Sequence, residues 1–208
     1  MKTFVYTELQ INVPFEEAPW KELNPILKQQ PGLINKTWLA GLGTNTLGGF
    51  YLFENEKDAI NFVTEYFPSE TQAFGVSHTS RIFNAQIVEE ASIDMNSIYF
   101  GGKLELEPKA FVYTEVQLGL NFKEVPWKEM NPVLKKQKGL LSKTWLSGIS
   151  TNTPGGLYAF DSIENAQKFA IDYFPTEAKQ LNAAFKTMIF DAEVSRKASI
   201  EMNSPFYK

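Results

Sequence analysis

The sequence predicts an α+β protein in which one βαββαβ unit is used twice. Three observations carry that reading. Aligning Phe4 with Phe111 keeps Trp20 on Trp127, Trp38 on Trp145, Phe67-Pro68 on Phe174-Pro175 and Met95-Asn96-Ser97 on Met202-Asn203-Ser204 without a gap, and about half of the paired positions are identical. "KTWLAGLGTNTLGGFYLF" at 36–53 returns as "KTWLSGISTNTPGGLYAF" at 143–160. Within each copy, apolar residues switch between a period of two and a period near 3.6. A repeat of this length is a duplicated small domain rather than a solenoid turn of roughly 20 to 50 residues. Residues 1–100 form the first repeat, 101–110 a linker with glycines, charges and a proline, and 111–208 the second repeat.

The elements follow in order along the first copy. "FVYTELQINV" alternates and is rich in β-branched and aromatic residues, which predicts a strand. "PFEEAPWKELNPILKQQPG" places Trp20, Leu23 and Leu27 at helical intervals and stops at Gly32; Pro25 predicts a kink, or a restart with Asn24 as the cap. "LINKTWLAG" and "GGFYLFE" predict a hairpin about "LGTNTLGG", with Asn45 in turn chemistry and Gly48 and Gly49 supplying positive φ. "NEKDAINFVTEYF" lines up Ala59, Phe62, Val63 and Tyr66 as the stripe of a second helix. A short helical piece near "SETQAF" precedes a fourth strand, "SRIFNAQIV". The sum is the ferredoxin-like arrangement. Its sheet carries both helices on one face, and the first strand is apolar on both sides, so the open face needs a cover. The second copy is the partner expected: two sheets face to face, an α+β barrel closed within one chain as a monomeric pseudo-dimer, with further self-association left open.

Composition removes several classes of function. A net charge of -4 in 208 residues, with Lys and Arg scattered, gives no footprint for nucleic acid. The absence of cysteine excludes disulfides, thiolate metal sites and Cys nucleophiles, and suits the cytoplasm. The amino terminus alternates as a strand and has no signal-peptide core, and no run suits a bilayer, so no membrane partner is expected. His78 is the one histidine and pairs with Phe185 across the repeat, which disfavours a His-based metal or haem site and reads as a surface residue. Phosphate-binding glycine loops and the Gly-x-Ser-x-Gly elbow are missing, so no cofactor is expected.

What remains is an aromatic wall with a few polar groups. Tyr6 and Glu8, Tyr51 and Phe53, and Lys36 and Trp38 are expected to form one patch, with Tyr113, Glu115, Tyr158, Phe160, Lys143 and Trp145 as its twin. Such a patch suits a small hydrophobic or aromatic ligand, a phenol or quinone. Glu8 and Glu115 would act as base, Lys36 and Lys143 would stabilise the anion, and Trp38, Tyr51, Trp145 and Tyr158 would orient the ring. Each has a second reading: the aromatics as core packing, the charges as rim or ion-pair groups. Leu47 against Pro154 and Leu52 against Ala159 predict the larger pocket in the second copy.

"KTWLAG…GGFYLFENEKDAINFV" followed by "FGVSHTSRIFNAQIVEEASIDMNS" resembles the YdhR family of monooxygenase-like proteins in the dimeric α+β barrel superfamily. The second copy, with "IFDAEVSRKASIEMNS", fits the family's fourth strand better. Family members are single-copy, so the tandem fusion is a departure. The resemblance implies a cofactor-independent monooxygenase acting on an aromatic or polyketide-like molecule. An isomerase, cyclase or lyase on the same barrel, or a binding protein without turnover, are the alternatives.

Overall fold

A computed structural model describes residues 1–207. The chain runs β1 (Thr3–Leu9), α1 (Trp20–Leu27), β2 (Leu33–Gly41), β3 (Leu47–Phe53), α2 (Glu56–Asn61), α3 (Phe67–Phe74), β4 (His78–Asn84) and α4 (Glu89–Asp94). It continues through β5 (Ala110–Val116), α5 (Trp127–Leu134), β6 (Leu140–Ser147), β7 (Pro154–Phe160), α6 (Ile163–Lys168), α7 (Phe174–Gln180), β8 (Phe185–Asp191) and α8 (Arg196–Glu201). In space these elements gather into two compact units. One holds Met1–Asn84 together with the chain from Val194 onward, and the other holds Ala85–Glu193.

Within the first unit the strands lie antiparallel in the order β4-β1-β3-β2, and within the second in the order β8-β5-β7-β6. Both are the ferredoxin-like βαββαβ topology that the periodicities predict. All seven residues of β1 and of β3 are buried, as are those of β5 and β7, so neither face of the central strands is wet. The core of the first unit runs from Val5 and Leu9 through Trp38, Tyr51 and Phe53 to Leu27 on α1 and Phe62 and Phe67 on the second helical segment.

Three local expectations are corrected. Helix α1 passes through Pro25 without a restart, and Asn24 does not cap it. Its side chain instead crosses to another strand, as described below. The second helix and the "SETQAF" piece form one continuous helical segment over residues 56–74, joined by a π turn at Phe62–Tyr66. Pro68 has no N–H to offer the carbonyl of Thr64, and the wider turn just before it absorbs that missing bond. The same device, Phe169–Tyr173 ahead of Pro175, recurs in the second unit. In the hairpin, the left-handed positions are Gly43 and Asn45, and in the second copy Ser150 and Asn152. Gly48 and Gly49 lie inside β3 and are glycine for want of room: a Cβ at Gly48 would strike the carbonyl of Thr7.

Each unit is finished by a segment that follows the fourth strand of the other repeat. In the first unit, α8 lies against β2 and α1: the Trp38 backbone N–H donates to Ser199 Oγ at 2.9 Å, Lys36 N–H to the Met202 carbonyl at 3.1 Å, and Thr37 and Ser204 share a 2.8 Å hydroxyl bond. In the second unit, α4 repeats those contacts with Trp145 to Ser92 at 3.0 Å, Lys143 to Met95 at 3.1 Å, and Thr144 with Ser97 at 2.7 Å. The compact units therefore differ from the repeats of the sequence, by an exchange of tails. No helix among the described residues is long and apolar enough to cross a membrane.

Candidate functional site

Strand register decides which side chains can meet. Residues paired across antiparallel strands point to the same face. Val5 pairs with Tyr51 and Lys36 pairs with Tyr51, so Lys36, Trp38, Tyr51 and Phe53 share the face of Val5, Thr7 and Leu9, beneath the helices. Tyr6 pairs with Phe50, which puts Tyr6 and Glu8 on the opposite face. The second unit repeats the division: Lys143, Trp145, Tyr158 and Phe160 beneath the helices, Tyr113 and Glu115 on the reverse. The single patch expected from the sequence is thus two constellations on two faces. On the reverse face each phenol donates to its neighbouring carboxylate, Tyr6 to Glu8 at 2.7 Å and Tyr113 to Glu115 at 2.8 Å.

Beneath the helices of the second unit lies a cavity of about 100 Å³. Its floor is Thr114 and Val116 of β5, Lys143 and Trp145 of β6, and Tyr158 of β7; Met130 and Leu134 of α5 and Tyr173, Phe174 and Glu177 around α7 close it above. The walls are almost wholly apolar, with Lys143 the one basic group among them. Its Nζ sits 2.7 Å from the centroid of the Trp145 ring and 4.9 Å from that of Tyr158. Room for this lysine comes from Gly156, where a Cβ would fall 2.8 Å from the Tyr158 ring and 2.9 Å from Lys143 Cε. The first unit repeats the arrangement with Lys36 2.9 Å from the Trp38 centroid, over Gly49.

Burial governs the charge of both lysines. An indole face returns about 2 kcal/mol to a desolvated ammonium. Withdrawing that ammonium from water costs several kcal/mol. The penalty wins, and burial holds Lys143 well below the ordinary lysine range. Lys36 is lowered for the same reason, with the Glu70 carboxylate pulling part of the way back. The neighbouring phenols move in the opposite direction. Burial raises Tyr51 and Tyr158 well above the usual tyrosine value, and burial together with the Glu177 charge pushes Tyr173 up to about 12. An amine whose proton affinity is lowered by burial, set over an aromatic face beside phenols shifted the other way, is a candidate proton acceptor in an apolar cavity.

Second-tier groups hold the tryptophans in place. Trp145 Nε1 donates to Asn131 Oδ1 at 2.9 Å, and the amide of Asn131 donates in turn to the Ala91 carbonyl at 3.1 Å. Trp38, Asn24 and Ala198 repeat this relay at 2.8 and 3.2 Å. The sequence signal was the Asn before each helix proline, on the apolar side of its helix; Asn24 was expected to cap a restart there if Pro25 did not simply kink the helix. Thr114, Gly155, Gly156, Tyr173 and Glu177 were likewise not singled out; the doubled Gly-Gly within a strand pattern was the clue to a close approach. Phe53 and Phe160 pack on Phe62 and Phe169 at 5.2 and 5.3 Å as core. His78 bonds Thr71 at 3.1 Å and meets the Phe67 ring edge-on. Ala159 pairs with Phe111 on the reverse face and so adds no room here; Pro154, which replaces Leu47, does line the cavity.

A family model described as "Putative mono-oxygenase ydhR" matches residues 7–94. That repeat belongs to the ydhR family. The second repeat aligns with it without a gap, with about half of the paired positions identical. Solved structures agree at the level of fold. An anthrone oxidase-like protein superposes with a TM-score of 0.60 at 14% identity, over 91% of this chain and 90% of that one. A chlorite dismutase from Candidatus Nitrospira defluvii gives 0.53 at 9% identity over 95% of both chains. A "Putative monooxygenase" from Fusobacterium nucleatum gives 0.50 at 12% identity over 91% of both. No curated protein matches in sequence.

Proposed function

We propose that this ydhR-type protein is a cofactor-independent monooxygenase acting on a small phenolic or enolic aromatic molecule, polyketide-like in chemistry, and that the cavity of the second unit is its reaction chamber. The observation that carries the reading is Lys143: a buried amine, lowered by burial, over an indole and facing an apolar space. Glu115, assigned as base from the sequence, faces the reverse side with Tyr113, and Lys143 takes that role here.

The chemistry needs no redox group in the protein. Lys143 accepts the acidic proton of the substrate and becomes an ammonium; the indole face of Trp145 and the new anion together stabilise that charge. The electron-rich carbon of the anion then attacks dioxygen. Loss of water from the resulting hydroperoxide leaves a carbonyl, so that a CH₂ and O₂ become C=O and H₂O, with the substrate supplying all the electrons. Trp145 and Tyr158 orient the ring, and the apolar walls keep bulk water from reprotonating the anion. Oxygen uptake with an anthrone as trial substrate tests this. Uptake should match quinone formation one to one and fall roughly 10²-fold or more in Lys143→Met. Conversion of the substrate without oxygen consumption would assign the site to isomerase or lyase chemistry, and binding without conversion to a carrier.

A further inference from the structure

The two units place the same residue types around their lysines but satisfy them differently. In the first unit Thr7 Oγ1 donates to Tyr51 Oη at 3.3 Å, and Tyr66 Oη donates to Glu70 at 2.7 Å. Leu9 and Leu47 there join Trp38 and Tyr51 in one continuous buried core. In the second unit the matching positions carry Val116 and Pro154, both smaller, and both line the cavity. Thr114, the counterpart of Thr7, is fully buried and also lines the cavity, yet among the described residues its Oγ1 completes no hydrogen bond. It sits beside Tyr158, near enough to act on that phenol in the sense opposite to burial, but the pair does not reach the hydrogen-bond geometry of Thr7 and Tyr51.

A buried hydroxyl left unmade costs about 1–3 kcal/mol, the desolvation penalty of the group. That cost is recovered when a ligand brings the missing partner. We infer that the chain carries one ligand site, in the second unit, and that the Thr114 hydroxyl is its anchor for a ligand oxygen. The first unit is then a filled copy that keeps the fold. Lys143 and Thr114 both line the floor of this cavity, so a ligand held there meets the hydroxyl as well as the amine. This inference rests on the cavity being the ligand site, as proposed above, but it concerns recognition and not turnover.

Equilibrium dialysis with 1-naphthol and with naphthalene separates the two questions. Wild type should bind one 1-naphthol per chain. Thr114→Val, equal in shape, should weaken 1-naphthol by roughly three- to tenfold and leave naphthalene unchanged, while Thr7→Val alters neither. Filling the cavity with the first unit's residues, Val116→Leu with Pro154→Leu, should abolish the site while thermal unfolding stays cooperative. Two equivalent sites, no saturable binding of 1-naphthol, or equal losses for both probes in Thr114→Val would each overturn the inference. One Thr114-dependent site without oxygen uptake would leave it standing and remove the monooxygenase reading alone.

Discussion

Replacing Lys143 by Met should make the protein more stable at neutral pH, against the usual expectation for a side chain in a functional site. An unfolded lysine titrates near 10.4. In the fold, burial lowers Lys143 well below that value. Between the two values the unfolded chain binds more protons than the folded one, so stability rises with pH through this window and levels off above the ordinary lysine pKa. The slope is at most about 1.4 kcal/mol per pH unit for each lysine whose pKa is lowered in this way. Wild type has two such groups, Lys36 and Lys143, with Glu70 partly offsetting the effect at Lys36. Lys143→Met keeps the length and apolar stem but removes one titration. Urea unfolding at pH 7, 8 and 9 should show the variant ahead at pH 7. Its lead should shrink by up to about 2.7 kcal/mol by pH 9, two units at the slope above. Parallel profiles for wild type and variant, or a wild type that is the more stable at pH 7, would mean a charged ammonium held by Trp145 and would refute the argument.

Other substitutions probe the architecture around that amine. Gly156→Ala should cost about 1–3 kcal/mol by urea unfolding and impair ligand binding, because the new methyl meets the Tyr158 ring and Lys143; Gly155→Ala should cost more, since its methyl meets the backbone carbonyl of Thr114, which has less freedom to move. Asn131→Leu removes the acceptor of the Trp145 indole and the donor to Ala91, so a loss of about 2–4 kcal/mol is expected, with Trp145 fluorescence shifted as the ring loses its fixed orientation. Glu115→Gln keeps an acceptor for Tyr113 on the face away from the cavity, and oxygen uptake should remain within about twofold of wild type; a loss near 10²-fold would return the role of base to Glu115.

The order of elements was legible because the chain states it twice and because helix and strand periods differ. What escaped was parity across strands. Along one strand the alternation of Tyr6 and Thr7 is plain, but whether Tyr51 sides with one or the other depends on register, which the hairpin sets. Here the register shifts between Leu33 and Asn35, and pairing puts Lys36 opposite Tyr51 and Tyr51 opposite Val5. A slip of one residue flips every side chain, so the sequence alone could not choose. The Gly-Gly pair was read as turn chemistry because glycine serves both uses; only the nearness of Thr7 and Lys36 distinguishes them. The tail exchange was hidden for another reason. Ala91, Ser92, Met95 and Ser97 match Ala198, Ser199, Met202 and Ser204 one for one, so either tail carries the groups that either unit needs.

That exchange bears on how the protein emerges from a ribosome. The unit made of residues 85–193 is contiguous, and α4 is already available when β6 is synthesised. The other unit, though it starts at the amino terminus, waits for α8 before Trp38 and Thr37 gain their last partners. The usual order, in which the leading portion matures first, is inverted. Until the final segment arrives, the backbone N–H groups of Lys36 and Trp38 on β2 have only water to bond in place of Met202 and Ser199.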